Sequence, residues 1–527
     1  MSAHPPAGAA PSAGTFPAVN PWWIAAAVML ATFMEVLDTT IVTVALPHMA
    51  GNLSASNDEA TWVVTSYLIS NAVVLPASGW FSKYFGRKRF LIACIILFTF
   101  ASFLCAIAPN LPVLVLARML QGVGCGALQP LAQTILLESF PPEKRGVAMS
   151  AYGMGIVVAP ILGPLVGGWI TDHYSWRWIF YINIPIGIIA VLMNQRFIHD
   201  PPHIRDARPG RIDMIGFALM AVSVITLQLI LDKGQEDDWF AAVWIRWFTL
   251  VSAATFIAFV FWELRVDSPI VDLRVLRNRN FAVGSVLIAL VGVAVYSPLT
   301  IIPQFLQNIL GYTALNSGLS QSPRGLGSIA GMFLVGYLSS RVDNRKLIGV
   351  GFALVGLSTF FLGNIDLEIS QRSIQLPFIL SGFCTAIVFV PLTTTSMGML
   401  RNYQLGNASG IYNLMRNLGG SIGVSLTATL VSRSAQAHQA TLITHLTPYD
   451  PAYQDRLHQL QSLLHLPSTD WNQTSAAVGV IYQAVVRQSY MLAYVDAFRW
   501  LALMCFISAL SAFLFKAVPA RRPAAAH

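Results

Sequence analysis

Residues 79–91 read GWFSKYFGRKRFL, a short basic segment with long apolar runs on either side. A second segment, GYLSSRVDNRK at residues 336–346, repeats the order of glycine, aromatic, apolar and basic residues and again follows an apolar run. Internal repeats of this kind are typical of secondary transporters, which are often built from two half-similar bundles. The two segments therefore predict a membrane protein with two related halves.

The composition around these segments supports that prediction. Of the 527 residues, 55% are hydrophobic and only 11% are charged, whereas a soluble domain has about 25% charged residues. Apolar runs of the roughly 20 residues that cross a bilayer recur from end to end. This excludes a soluble protein. All five cysteines lie inside apolar runs, so we expect packing residues rather than disulfides or metal ligands.

The apolar windows predict fourteen transmembrane helices, and hence an all-α integral membrane protein. The spans are expected near residues 22–46, 61–82, 90–108, 112–136, 147–171, 177–197, 213–231, 243–262, 281–303, 314–338, 346–364, 374–397, 406–431 and 497–518. Counting six spans from each end gives two six-helix bundles and two extra central helices. The expected regions are a disordered cytoplasmic tail (1–21), a first bundle (22–198), linkers with the two extra helices (199–280), a second bundle (281–518) and a short cytoplasmic tail (519–527).

Basic residues set the expected orientation. Most of the 32 Lys and Arg residues fall in the loops after even-numbered spans and in the C-terminal tail. The short loops on the other side hold essentially Lys233 and Arg372, with Arg177 at a span edge. By the positive-inside rule both termini are cytoplasmic. The net charge of +8 therefore reflects topology, and we expect contact with membrane lipid but not with nucleic acid.

One segment on the predicted outer side is long and polar, residues 432–496. Apolar residues recur in it at helical spacing, so we expect a small helical hairpin outside the membrane. The two apolar stripes are Tyr453, Leu457, Leu460 and Leu464, followed by Val478, Ile481 and Val485. Loops of this length are uncommon and often functional.

Few ionisable residues lie well inside the predicted spans, namely Glu35, Asp38, Arg118, Arg324 and Arg416. Because all ten histidines lie in tails, loops or loop edges, a group titrated during transport should be a carboxylate. Asp38 lies about eight residues, and Arg118 about six, from the outer ends of their spans, which at about 1.5 Å per residue places them at similar depth. We therefore expect Asp38 and Arg118 to pair, because a charge in mid-membrane costs about 2.5–3.5 kcal/mol on insertion scales.

The other intramembrane charges leave alternatives open. Glu35 shares a helix face with Asp38, and it either takes part in proton coupling or is a carboxyl satisfied by neighbouring helices. Arg324 either favours anionic substrates or pairs with Glu35. Arg416 has either a structural role or a substrate contact. We expect proton coupling at Asp38, Glu35 and Arg118, and substrate contacts at Asp38, Glu35, Arg324, Arg416, Gln129 and Asn413.

Several motifs resemble those of the major facilitator superfamily. Residues 79–91 are similar to its signature loop, with Gly79, Gly86, Arg87 and Lys88 in place. Lys83 stands where the signature has Asp, so this loop lacks the carboxylate to which the family's latch is attributed. The stretch 114–126, which contains Arg118, resembles the buried-arginine motif. Residues 159–168 resemble the antiporter motif, which implies an exporter; its residues are Gly163, Pro164, Gly167 and Gly168.

Three further stretches, residues 37–47, 176–187 and 413–423, look like the fourteen-span drug:proton antiporter subfamily. This resemblance implies a major facilitator fold and a pump that exports small amphipathic compounds from the bacterial cytoplasm across the inner membrane. It implies a proton gradient and no cofactor. It also implies a periplasmic adaptor and an outer-membrane channel as partners, with residues 432–496 as a docking element. A lid over the outer mouth is the alternative reading of that segment.

Other function classes find little support. No GxxxxGK[ST] phosphate loop is present, which argues against an ATP-driven pump. A membrane enzyme would need a polar catalytic cluster, and neither HExxH nor GxSxG occurs. A solute importer is the nearer rival, and the antiporter-like stretch disfavours it.

Overall fold

The computed structural model describes residues 20–200, 212–339, 341–444, 446–447, 449–463 and 470–515. Helices account for most of these residues, and no strand occurs among them. The all-α prediction is therefore confirmed. The predicted tails, apart from residues 20–21, and part of the linker, residues 201–211, lie outside the described residues.

Seventeen helices of eight or more residues form the described fold. In chain order they are α1 (Pro21–Asn52), α2 (Trp62–Phe85), α3 (Arg87–Ala106), α4 (Leu111–Cys125), α5 (Leu128–Ser139), α6 (Arg145–His173), α7 (Asn183–Phe197), α8 (Met214–Lys233), α9 (Val243–Arg265), α10 (Arg279–Gln304), α11 (Ala314–Gln321), α12 (Pro323–Leu338), α13 (Asn344–Leu362), α14 (Gln371–Met397), α15 (Asn402–Ile443), α16 (Pro451–Leu463) and α17 (Asp470–Ser511). Shorter turns lie at Asn57–Ala60, Pro142–Lys144, Trp178–Tyr181, Trp239–Ala241, Leu273–Arg277, Phe305–Ile309 and Ala512–Leu514.

Twelve helical segments in the described residues are long and apolar enough to cross a membrane. The two other predicted spans, 314–338 and 406–431, are helical but do not meet that criterion. The first is divided into α11 and α12, with Pro323 opening the second helix. The second lies in α15, whose buried face carries polar residues such as Asn407, Asn413 and Arg416. Fourteen spans therefore remains a prediction for this chain.

The helices form two bundles with an extra hairpin. In the first bundle α1 packs against α6 and α7, and α4 packs against α2 and α3. In the second bundle α10 packs against α15, while α12, α13 and α17 pack through α14 and α15. The extra helices α8 and α9 pair with each other, and α8 contacts both α2 and α15. The hairpin thus lies beside the junction of the two bundles.

The bundles approach most closely on the side that carries the basic loops. A Cβ on Gly79 would lie 2.7 Å from the Cα of Asn407, and one on Gly410 would lie 3.0 Å from the carbonyl oxygen of Leu75. Between α6 of the first bundle and α12 of the second, a Cβ on Gly153 would lie 2.6 Å from the Met332 side chain. Small residues allow such close packing of helices in a membrane. The described structure is closed on its predicted cytoplasmic side.

The outer segment differs from the predicted separate hairpin, because the two flanking helices continue into it. Helices α15 and α17 are each 42 residues long, about 63 Å at 1.5 Å per residue, against a hydrocarbon core of about 30 Å. They extend together because apolar residues along both, including Val431 and Tyr494, belong to one buried cluster. His438 Nε2 also lies 2.7 Å from Asp496 Oδ2. Among the described residues of this segment, helix α16 contacts α17 but has no fully buried residue, and Leu464 of its predicted stripe lies outside the described residues.

We predict that Gly79→Ala weakens closure on the cytoplasmic side, because the added methyl group meets the backbone at Asn407. Overpacking of this kind costs about 1–3 kcal/mol, and each 1.4 kcal/mol changes the closed-to-open ratio about tenfold. The measurement is the rate at which a membrane-impermeant maleimide labels a cysteine placed at Ser82, which is buried here.

The matched control is Gly51→Ala, because a Cβ on Gly51 has no neighbour within 4 Å. Labelling should be faster with Gly79→Ala and unchanged with Gly51→Ala. Equal labelling of both variants would show that the Gly79 contact does not hold the bundles together.

Candidate functional site

Asp38 of α1 lies at the centre of a buried polar cluster in the first bundle. Its Oδ2 accepts a hydrogen bond from Arg118 Nη1 at 2.6 Å, and its Oδ1 accepts from Gln121 Nε2 at 3.1 Å and from Asn183 Nδ2 at 2.7 Å. All four residues are at most 1% exposed. Three donors from α4 and α7 thus surround one carboxylate, which confirms the predicted Asp38–Arg118 pair.

Arg118 is held on several sides. Its Nε donates to the backbone carbonyl of Val63 at 3.0 Å, and its guanidinium lies 4.1 Å from the ring centre of Tyr67. Its Nη1 also donates to Gln121 Oε1 at 2.7 Å, whereas its Nη2 has no hydrogen-bond partner in the described part of the chain. The arginine is therefore fixed in position but retains one unused donor.

Gln121 and Asn183 are site residues that the sequence reasoning missed. Gln121 lies three residues after Arg118 on the same helix face, and Asn183 also donates to Ser102 Oγ at 3.0 Å. A signal was present, because both are amides in otherwise apolar helices. Buried amides of this kind need partners, and here one of those partners is the charged pair.

Glu35, one helical turn before Asp38, faces a second cluster. Its Oε1 accepts from Gln129 Nε2 at 3.0 Å and, more weakly, from Asn71 Nδ2 at 3.4 Å. Gln129 Oε1 in turn accepts from Arg416 Nη2. Glu35 Oε2 is buried and has no hydrogen-bond partner among the described residues. A chain of polar contacts thus runs from Glu35 in the first bundle to Arg416 in the second.

A parallel contact lies one turn away. Gln133 Oε1 accepts from Asn413 Nδ2 at 2.8 Å and from Ser409 Oγ at 3.1 Å. Gln133 belongs to α5 and both donors belong to α15. Polar residues of the first bundle therefore meet α15 at two consecutive levels.

Of the two alternatives for Arg324, the pairing with Glu35 is wrong. Arg324 forms no hydrogen bond or ion pair in the described part of the chain, and its backbone lies against Gly382 of α14. Glu35 points instead to α2 and α5, because its partners are Asn71 and Gln129. Of the six residues expected to contact substrate, four belong to the two clusters, Asn413 belongs to the parallel contact with Gln133, and Arg324 belongs to none of these.

The antiporter-like stretch packs α6 against the helix that carries Asp38. The Cβ position of Gly163 meets the Thr40 side chain, and that of Gly167 would lie 3.2 Å from the Ile41 carbonyl oxygen, whereas Gly168 has open space. The side chain of Pro164 lies outside the described part. Because Thr40 and Ile41 lie two and three residues after Asp38, these glycines let α6 support the turn that presents the carboxylate.

The signature loop is organised by ion pairs within the first bundle. Arg87 donates through both Nη atoms to Glu138, at 3.2 Å from Nη2 to Oε1, and this pair is nearly buried. Gly86 has φ of +82°, a backbone conformation that glycine favours. Lys88 Nζ donates to the Gln195 carbonyl at 2.6 Å, and its amide donates to Asp200 Oδ1 at 2.8 Å. The loop thus connects α3 to the ends of α5 and α7.

Other kinds of site are not apparent in the part of the chain that the structure describes. The described residues contain no group of three or more His, Cys, Asp and Glu side chains that could hold a metal ion. The five cysteines are buried and free.

Comparison with known proteins places this geometry in context. Residues 28–424 match the sequence model of the Major Facilitator Superfamily. The chain is 37% identical over 495 residues to the multidrug export protein EmrB of Haemophilus influenzae, covering 94% of this chain and 95% of that protein. It is 35% identical to EmrB of Escherichia coli K12, covering 94% of each, and 36% identical to the fatty acid resistance protein FarB of Neisseria gonorrhoeae, covering 89% of this chain and 91% of FarB.

The fold is similar to that of solved transporters. A crystal structure of the human organic anion transporter MFSD10 aligns with a TM-score of 0.59 at 13% identity, over 92% of this chain and 99% of that one. At this identity the likeness concerns the fold alone.

We predict strong energetic coupling between Asp38 and Arg118. Removing one partner of a buried ion pair leaves an uncompensated charge and destabilises a protein by about 3–5 kcal/mol. Arg118→Met should therefore lower the free energy of unfolding in detergent by that amount. The double variant Asp38→Asn with Arg118→Met should lose less than the sum of the two single losses.

Arg246→Met is the control, because Arg246 is exposed and surface substitutions usually change stability by at most about 0.5 kcal/mol. Strictly additive losses at Asp38 and Arg118 would show that the pair does not form in the folded protein.

Proposed function

Because the chain belongs to the Major Facilitator Superfamily, we propose that it is a proton-driven antiporter that exports amphipathic drugs or other toxic compounds. Support for the export direction comes from the relatives named for multidrug export. The antiporter-like stretch 159–168 adds to it, since its glycines pack directly on the turn after Asp38.

The observation that carries the proposal is the buried Asp38–Arg118 pair with its ring of amides. A carboxylate inside a membrane is stable only while a cation or hydrogen-bond donors compensate its charge. A proton that binds Asp38 removes the need for that compensation and releases Arg118 to other partners. Substrate binding and closure of the cavity then favour different protonation states of the same carboxyl group. This dependence of the protonation of Asp38 on substrate binding couples proton entry to substrate exit.

Glu35 transmits the coupling between the bundles. Its charge orients Gln129, and Gln129 holds Arg416 of α15. A change of charge at Glu35 therefore alters a contact that crosses the bundle interface, where rocking of one bundle against the other has to occur. The alternative of a merely satisfied carboxyl is less suited to this site, because Oε2 is buried without a partner among the described residues.

The substrates are small amphipathic molecules that reach the site from the membrane or the cytoplasm. Two of the relatives are named for multidrug export and one for fatty acid resistance, so both cationic and anionic amphiphiles are candidates. Asp38 and Glu35 provide the negative side chains of the site, Gln129 of α5 lies beside Glu35, and Arg416 and Asn413 lie on α15 of the facing bundle. Arg324 remains a candidate contact for an anionic group. The proton gradient supplies the energy, and no cofactor is required.

The pump functions in the bacterial inner membrane, and residues 432–496 dock a periplasmic adaptor that leads to an outer-membrane channel. The projecting ends of α15 and α17 support this part of the proposal, because they carry α16 well beyond the bilayer. Helix α16 contacts α17 and has no fully buried residue, and Tyr453, Leu457 and Leu460 on its apolar face are only half-buried. A lid that packs only on its own pump would bury that face fully within this chain. A docking helix leaves the face partly exposed until an adaptor covers it.

We predict that Asp38→Asn abolishes coupling but not folding. Wild-type protein in weakly buffered detergent should release protons when tetraphenylphosphonium or a long-chain fatty acid is added, read with a pH-sensitive dye. The Asp38→Asn protein should elute as wild type on size exclusion and release none, while Glu35→Gln should reduce the release. The control Glu368→Gln, at an exposed carboxylate in the outer loop 363–370, should release normally. Normal release from Asp38→Asn would refute the assignment.

We predict that replacing residues 445–469 with a short Gly/Ser linker separates transport from assembly. Transport in proteoliposomes should survive, since α15 and α17 keep their packed faces. Co-purification of the adaptor and whole-cell resistance should be lost. Replacing the exposed outer residues Asn364, Asp366 and Glu368 with serine should leave both properties intact. Adaptor recovery at the wild-type yield from the shortened protein would favour the lid.

A further inference from the structure

A cleft lies on the predicted outer side, where the extra hairpin meets the first bundle. Its volume is about 480 Å³, within the roughly 300–1,000 Å³ typical of sites for drug-sized ligands. Three helix ends and one loop form it. The lining residues are Trp62 of α2, Leu229 and Lys233 of α8, Glu236 and Asp237 of the loop, and Trp244 and Phe248 of α9.

Aromatic side chains form much of its wall. Trp244 and Phe248 pack edge to face with ring centres 5.3 Å apart. Trp244 Nε1 donates to Asp237 Oδ2 at 3.0 Å, which fixes the indole against the loop. Trp62 is 39% exposed at the start of α2. Aromatic faces of this kind attract organic cations through cation–π interactions.

The charges of the cleft leave one carboxylate unneutralised. Lys233 Nζ lies 2.6 Å from Glu236 Oε2 and donates to Thr61 Oγ1 at 3.3 Å, so its charge is already matched. Asp237 receives the indole N–H of Trp244 and forms no ion pair among the described residues. The lining as a whole therefore carries one excess negative charge.

The loop that closes the cleft is held in a strained shape. Asp238 and Trp239 have φ of +52° and +54°, which side-chain-bearing residues rarely adopt. Trp239 Nε1 donates to Thr429 Oγ1 of α15 at 3.0 Å, which ties the loop to the second bundle. Strain of this kind persists where surrounding contacts over-determine the backbone, and it clusters at functional sites. The cleft is thus a preformed feature of the outer face.

We propose that this cleft is a peripheral binding site for lipophilic organic cations, separate from the Asp38 cluster. The cationic centre lies between the Asp237 carboxylate and the faces of Trp62 and Trp244, and the apolar body lies along Leu229 and Phe248. None of the residues of the Asp38 and Glu35 clusters contributes to it. The proposed binding site can therefore be tested independently of the proposed transport mechanism.

The test is equilibrium binding of radiolabelled tetraphenylphosphonium to the full chain in phosphatidylcholine nanodiscs, with no gradient. All variants carry Asp38→Asn and Glu35→Gln, so that the two central carboxylates do not contribute. The double substitution Asp237→Asn with Trp244→Ala should weaken binding about tenfold or more, the range expected for a lost charge and a desolvated cation–π contact. The matched controls, Asp238→Asn and Trp247→Ala, change neighbouring residues outside the lining and should alter affinity less than twofold.

Two further measurements locate the ligand. A photoreactive phosphonium should label peptides that contain residues 229–248, and unlabelled tetraphenylphosphonium should compete. Neutral triphenylphosphine oxide should bind equally to parent and double variant. Labelling confined to other segments, or equal losses in the control variants, would overturn the proposal. So would loss of binding when phosphatidylethanolamine replaces phosphatidylcholine, since the cleft would then belong to a lipid headgroup. Absence of substrate-induced proton release from the wild-type protein, with tetraphenylphosphonium binding at the cleft intact, would reject the transport mechanism alone.

Discussion

The cost of a charge inside a membrane is the constraint on which the rest of this structure depends. Asp38 is tolerable within α1 only because Arg118, Gln121 and Asn183 compensate it from two other helices. That requirement fixes how α4 and α7 sit against α1. In the proposed mechanism it also makes the site sensitive to protons, because neutralising one carboxyl group changes what three neighbouring side chains need. In this account stability and coupling have the same physical origin.

Close helix packing carries that local change outward. The glycines of α6 support the turn after Asp38, and Gly79 lets α2 approach α15 at Asn407. Between these contacts, Gln129 and Gln133 of α5 meet Arg416 and Asn413 of α15. Glu35 is therefore joined to the interface between the bundles by a single side chain, Gln129, and no long pathway is needed.

The sequence predicted the parts of this arrangement that follow from one-dimensional rules. Hydropathy and charge counting gave the helical membrane architecture, and depth along the spans gave the Asp38–Arg118 pair. The depth of a residue along its span does not give the rotation of its helix. For this reason the alternative that paired Glu35 with Arg324 is wrong, and Asn183, on a helix distant in sequence, went unnoticed. The outer segment was misjudged because polarity marks where the bilayer ends, whereas α15 and α17 continue by packing on each other. Low hydropathy in α15 has a similar cause, since its polar face lies against the other bundle.

The most direct test of the central claim is counterflow in proteoliposomes with an imposed pH gradient and clamped membrane potential. Purified protein should accumulate an amphipathic substrate against its own gradient while protons move the opposite way, and a protonophore should abolish accumulation. The account predicts an accumulation ratio that rises with the pH difference and is lost in the Asp38→Asn protein. Substrate that only equilibrates across the membrane, whatever the pH difference, would contradict it.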